Sequence, residues 1–300
     1  MKKFFIPFLI GLVCISSCKS TSEIVSLKLQ MPVGNTYDYN FVMDMGMDEQ
    51  VMGQAMKMNN KLTFAYKFEV LKDSAGWKTL RSTVGRMRMD MSMMGTNLTV
   101  DTNEPLADTT SPMAPLHRAF SAIKGQQFTF TIDERGKMGS VTGLDEMRKA
   151  VMQGIPGGEK MDQQMQSTFS EQSFKENMEQ SFNIFPDKDV AVGDSWKKTI
   201  GLKSQGGNTK SENTFTLESV KEGKAYIKVK TNINGSKETT ATGTEVTTKG
   251  SGDGVYVYEQ ATGIVLDGNI KMKMEMEMAM QGQKVPMKMD MNIKINGKKH

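Results

Sequence analysis

The stretch Lys271-Met-Lys-Met-Glu-Met-Glu-Met-Ala-Met280, then Gln281-Gly282, then Gln283-Lys-Val-Pro-Met-Lys-Met-Asp-Met-Asn292 decides the fold. Methionine at every second position puts all the thioethers on one face of an extended chain and the charges on the other, because side chains alternate along a strand. A two-residue turn at Gln281-Gly282 makes the two runs a hairpin. Met276 then opposes Met287, Met274 opposes Met289 and Met272 opposes Met291. On the other face Glu275 meets Lys288 and Lys273 meets Asp290. A four-residue turn would set Glu275 against Asp290, and like charges directly opposite destabilise a ladder. The charges therefore choose the shorter turn.

The same period recurs elsewhere. Thr36 to Asp48 alternates, with Tyr37, Tyr39, Phe41, Met43, Met45 and Met47 on one face and Asp38, Asn40, Asp44 and Asp48 largely filling the other. Leu62, Phe64, Tyr66, Phe68 and Val70 form a second run, Met87, Met89, Met91 and Met93 a third, and Phe128, Phe130 and Ile132 a fourth. Residues 101–116 hold three prolines and are expected to be a loop. The middle of the chain changes to a helical period. Thr142-x-x-Asp145 is expected to open one helix and Ser173-x-x-Glu176 to cap another. Met161, Met165 and Phe169, then Phe174, Met178 and Phe182, form its apolar stripe, and Pro186 ends it.

Three pairs of segments echo one another in order: Val33–Tyr37 with Val192–Trp196, residues 68–77 with 217–226, and residues 128–138 with 255–265. The expected fold is mainly β, of the α+β class. It is a large antiparallel sheet, curled into an open barrel or cup and built from two related strand modules. The first module covers 31–142 and the second 187–300, with a helical insertion at 143–186 covering one apolar face.

At the amino end, Lys2 and Lys3 precede an apolar run from Phe4 to Ile15, then Ser16, Ser17 and Cys18. This reads as a signal peptide over residues 1–17, too short for a bilayer-spanning helix of about 20 residues. Ile15-Ser16-Ser17-Cys18 resembles a bacterial lipobox, which implies acylation of Cys18, a lipidated tether over 18–30 and a place in the cell envelope. Lys19 after the cysteine favours the outer membrane. Acyl chains account for a cysteine whose only companion, Cys14, lies in the removed segment.

Composition narrows function. Of 38 basic residues two lie in the signal, leaving 36 against 34 acidic ones, no footprint for nucleic acid. His117 and His300 are the only histidines, and His117 falls in the Pro-rich connection, so a hydrolytic triad or a His/Cys zinc site lacks material. Walker and GxGxxG patterns are missing. No enzymatic activity and no cofactor are expected.

Lipobox, VGNTY, FPDKDVAVGDSW and YEQATGIV together resemble a family of uncharacterised bacterial lipoproteins. That resemblance implies no activity and transfers no site residue. The curled sheet with helices is also similar, at the level of fold, to periplasmic carriers of lipoproteins and lipids.

The chain has 28 methionines, and seventeen of them lie on single faces of five strand segments. Burying a methionine returns about 1.5–3 kcal/mol, while freezing its side chain costs up to about 2 kcal/mol. Leucine fills a rigid core at lower cost, whereas methionine suits an apolar surface that remoulds around its contents. The expected function is a non-catalytic, membrane-tethered lipoprotein holding a lipid or other hydrophobic ligand in a methionine-lined groove. The candidate groove residues are Met43, Met45, Met89, Met91, Met272, Met274, Met276, Met287 and Met289. A structural or interaction module of the envelope without ligand, and Cu(I) coordination by the thioethers, are the alternatives.

Overall fold

The computed structural model describes residues 24–51, 54–93, 95–155, 170–204, 207–235, 238–239, 245–280 and 283–300. The proposed signal peptide, Cys18 and the stripe residues Met161, Met165 and Phe169 lie outside these residues.

Long strands follow the methionine and aromatic alternation. In chain order they are β1 (Ile24–Val25), β2 (Thr36–Val51), β3 (Gln54–Ser74), β4 (Trp77–Met93), β5 (Thr96–Asp101), β6 (Gln127–Asp133), β7 (Met138–Thr142) and β8 (Val190–Ala191). The second half adds β9 (Ser195–Ser204), β10 (Gly207–Lys221), β11 (Lys224–Asn234), β12 (Glu238–Thr239), β13 (Glu245–Glu259), β14 (Val265–Met280) and β15 (Gln283–Lys299). Thirteen of them form one antiparallel sheet in the order β7-β6-β4-β3-β2-β15-β14-β13-β11-β10-β9, with β5 on β4 and β12 on β13. The carboxyl-terminal strand thus joins the two halves by pairing with β2. The sheet is curled and does not close on itself.

The β14–β15 hairpin has the register that the charges require. Met276 pairs with Met287, Met274 with Met289, Met272 with Met291, Glu275 with Lys288 and Lys273 with Asp290. The outer face continues this logic across five strands, where Lys249, Glu275, Lys288, Asp48 and Lys57 lie side by side with alternating sign. Such exposed pairs add little stability, typically about 0–1 kcal/mol each. Their use is in register, since a one-residue slip would turn every methionine outward. A transmembrane barrel presents an apolar band outward; here the outward face is charged.

Three described helices accompany the sheet: α1 (Ala114–Ile123), α2 (Leu144–Gly154) and α3 (Glu171–Phe182). α1 was not expected from a Pro-rich stretch; Pro115 sits in its first turn, where a missing N–H costs nothing. α2 begins after Gly143 (φ 93°) with no side-chain cap, so Thr142 ends β7 and does not cap the helix. α3 begins two residues before Ser173, and its cap is Ser170, whose Oγ accepts the Ser173 N–H at 3.1 Å.

The described helices lie against one end of the sheet's apolar face. α1 packs on α2 and on β4 and β5, while α3 touches both β7 and β9, the two ends of the sheet path. The Val141 N–H donates to Glu171 at 3.1 Å, and Trp196 Nε1 donates to the Ile184 carbonyl at 2.7 Å, so the segment bridges the open edges. Phe182 meets Phe68 and Phe130, and Phe174 meets Phe128. The described helices therefore cover the lower, aromatic end of the inner face and leave the methionine rows uncovered.

Residues 24–30, expected to belong to a tether, instead send every second side chain into the core. Val25, Leu27, Leu29 and Met31 are all at most 5% exposed. The segment threads between two turns, with Leu29 N–H on the Glu134 carbonyl at 2.9 Å and Gln30 N–H on the Thr262 carbonyl at 2.8 Å. At about 1.5–3 kcal/mol per apolar side chain, these four contribute roughly 6–12 kcal/mol as an upper bound. The chain enters at the floor of the cup and closes it.

The echoed hairpins share a geometry, offset from the sequence match. Gly34 N–H bonds Val70 O and Val70 N–H bonds Asn35 O; Gly193 N–H bonds Leu217 O and Leu217 N–H bonds Asp194 O. A bulge follows Val70 and another follows Leu217. Positive-φ turns follow five residues later at Ala75-Gly76 and Glu222-Gly223. Val70 and Leu217 hold the same place in the two hydrogen-bond patterns.

Candidate functional site

The inner face of β2 carries Tyr37 and Tyr39 at its lower end, both buried, and Met43, Met45 and Met47 above them, all half-buried. One strand therefore supplies both floor and wall. Cross-strand register assembles the wall row by row. Met274, Met289, Met47 and Met58 lie side by side on β14, β15, β2 and β3. The next row down is Met272, Met291, Met45, Asn60 and Met91, continuing onto β4. Below it run Ile270, Ile293, Met43, Leu62 and Met89. Met276 and Met287 form the rim beside Glu49 and Met56.

All nine candidate methionines thus share one continuous surface, together with Met47, Met56, Met58 and Met291. Of the nine, only Met272 packs against the buried core cluster. The methionines that do behave as core are Met31, Met87, Met138 and Met147. The floor beneath the wall is aromatic: Tyr39 stacks on Phe41 at 6.0 Å and Phe41 meets Tyr66 edge-on at 6.1 Å. A cavity of about 20 Å³ between Leu29, Tyr39, Phe41, Phe182 and Ile295 has room for about one water molecule, so the floor is filled. Burial raises the phenol pKa of Tyr39, Tyr256 and Tyr258, keeping the floor uncharged.

The wall ends at a strip the sequence reading missed. Gly250, Gly252 and Gly254 on β13 lie opposite Met274, Met272 and Ile270. A β-carbon on Gly250 would come within 2.8 Å of Met274 Cγ, and one on Gly252 within 2.6 Å of Met272 Cγ. The methionine chains lie over bare backbone, as aromatic rings lie over glycines in curved sheets. Tyr256 does the same over Gly268. Glycine at every second place in Lys249–Gly254 was the available signal. Beyond the strip the inner face turns polar at Thr231, Asn213 and Ser211, all buried. Thr231 donates to Asn213 Oδ1 at 2.7 Å and Ser211 donates to the same oxygen at 3.3 Å.

Other candidates resolve simply. His117 lies on α1, not in a loop; its Nε2 is 3.0 Å from the Glu104 carbonyl and Ser121 Oγ is 3.3 Å from its Nδ1, both exposed. Trp196 stacks on Phe215 at 5.7 Å and anchors its strand. Among the described residues no three His, Cys, Asp or Glu side chains gather as a metal site. Asp101, 2% exposed at its side chain, is gripped on the outer face by Arg86 and Arg88, which hold its carboxyl well below the usual range.

No curated protein matches the chain. Among solved structures, lipovitellin, described for its lipid–protein interactions, aligns with a TM-score of 0.48 at 8% identity over 90% of this chain. The chain spans 25% of the lipovitellin chain's length. The translocator domain of the autotransporter NalP from Neisseria meningitidis aligns at 0.23 and 7% identity, covering 89% of this chain and 90% of that one. The β domain of the Bordetella autotransporter BrkA gives 0.24 and 7%, covering 88% and 99%. A family model of unknown function, DUF6263, matches residues 75–265, nearly two thirds of the sequence, and the chain belongs to that family.

Proposed function

We propose that the protein is a non-catalytic envelope lipoprotein that holds a lipid or similar hydrophobic molecule against its methionine wall. One observation carries the reading: the wall is the upward continuation of the core face, yet its methionines are half-buried and, Met272 apart, do not pack into the core. An apolar surface of this extent, rimmed by charge, is what a monomer keeps for an interaction. Methionine lets it fit chains of differing shape.

Acylation of Cys18 would tie the floor of the cup, not its mouth, to a membrane. Ile24 leaves the fold at the floor, and the hairpin tips lie at the other end of strands of 16 and 17 residues, about 55 Å away. The five residues 19–23 reach at most about 18 Å. The mouth is then directed away from the anchoring bilayer, and cargo passes to or from a carrier or a second membrane.

Native mass spectrometry of protein purified from its own membranes tests this reading. The expected spectrum carries an acyl mass at Cys18 and a second, dissociable mass removed by organic extraction. An acylated protein that never carries or takes up any hydrophobic molecule supports the module without ligand instead.

A further inference from the structure

On the inner face, above the level of Phe41, the described residues of β2, β3, β10, β11, β13, β14 and β15 include one ionisable side chain, Glu49 at the rim. Lys198, on the edge strand β9, is tied to Asp187 at 2.6 Å. Nothing in the wall therefore neutralises an anionic head group, and burying an unpaired charge costs far more than burying a hydroxyl.

One polar side chain interrupts the wall. Asn60 sits between Met45 and Met91 in a row otherwise made of thioethers. Its Nδ2 donates to Met58 Sδ at 3.6 Å, a weak acceptor, and its buried Oδ1 has no donor among the described residues. Asn213, in the same row beyond the glycine strip, shows the contrast, since its Oδ1 takes both the Thr231 and the Ser211 hydroxyl. A buried carbonyl left without a donor is destabilising, because folding strips it of water and returns no hydrogen bond. A methionine at position 60 would continue the row without that cost.

Resting on the hydrophobic-ligand reading above, we propose that the cargo is an uncharged amphiphile: a long hydrocarbon chain bearing a hydroxyl or amide group that donates to Asn60. The chain lies along Met45, Met47, Met289 and Met291, and the polar group takes the Asn60 row. A hydroxyl both donates and accepts, so it suits either orientation of the amide. A carboxylate offers no proton to Oδ1 and brings a charge with no partner.

Displacement of N-phenylnaphthylamine from the full chain by oleyl alcohol, its methyl ether and oleate separates the outcomes. The alcohol is expected to displace the probe at about fivefold lower concentration than the ether, with oleate weakest. Asn60→Met, with Asn60→Leu as a second variant, is expected to erase the alcohol's advantage while leaving the ether unchanged and the melting temperature equal or higher. Equal displacement by all three, oleate acting best, or an advantage that survives both variants would overturn the proposal. Failure of the probe to bind at all rejects the hydrophobic-ligand reading itself, and this proposal with it.

Discussion

Met272 on β14 lies over Gly252 on β13, its Cγ 2.6 Å from the point a β-carbon on that glycine would occupy. The Lys271 carbonyl is 2.7 Å from the same point, so neither the side chain nor the backbone leaves room. Gly252→Ala is accordingly expected to destabilise by about 1–3 kcal/mol in urea unfolding, as overpacking does. Gly201→Ala on β9 meets nothing within 4 Å and is expected to be neutral or stabilising by up to about 1 kcal/mol. Equal effects of the two substitutions would contradict the close approach.

Wall and core methionines should part company on substitution. Met45→Gln and Met289→Gln, at half-buried sites, are expected to lower stability by about 1 kcal/mol or less while weakening uptake of a hydrophobic probe severalfold. Met147→Gln, in the core, is expected to cost about 2 kcal/mol or more. Exchanging Met45, Met47, Met289 and Met291 for leucine together should preserve stability and narrow the range of ligands bound, because leucine gives up the flexibility of the thioether chain. Chemical denaturation beside a ligand panel reads both effects.

How far the sequence reaches is clearest at this hairpin. Its register was legible because the outward charges discriminate between turn lengths, which apolar pairing alone does not. The floor was harder. Val25, Leu27, Leu29 and Met31 alternate visibly, but the turns that clasp them, around Glu134 and Thr262, are more than a hundred residues away. The match of 68–77 to 217–226 rests on shared Glu and Lys identities, and the turns at Ala75-Gly76 and Glu222-Gly223 fall two residues out of step with it, because the turn residues and not the charges set the geometry. Asn60 and Asn213 share a row only because β15 returns to pair with β2, which no local pattern reveals.

The outer ladder gives an electrostatic test. Lys288→Glu places a carboxylate between Glu275 and Asp48. The substitution is expected to cost about 1 kcal/mol at low salt, less at 1 M salt where the Debye length is about 3 Å, and to cost less when made in a Glu275→Gln background, which removes one of the two opposing carboxylates. A cost insensitive to salt and unchanged in that background would remove register-setting from the role of these charges.

Asp101 predicts an acid limb. Its carboxyl is held low by Arg86, with the Asn103 N–H and Arg88 adding to the effect. A group with a lowered folded pKa contributes stability that is present above its ordinary value, near 3.8, and is lost as pH falls below it. Wild type should therefore lose stability below about pH 4 more steeply than Asp101→Asn, which is expected to be weaker by about 3 kcal/mol at pH 7. Parallel pH profiles for the two proteins would contradict this assignment.

Photo-crosslinking locates the hydrophobic cargo, which is proposed to lie against the methionine wall. A diazirine-bearing long-chain alcohol is irradiated with the full protein and the adducts are mapped by peptide mass spectrometry. The expected adducts fall on inner-face residues of β2, β3, β14 and β15, centred on Met45, Met47, Met289 and Met291. Adducts confined to the helices or the charged outer face, or scattered evenly along the chain, would contradict it.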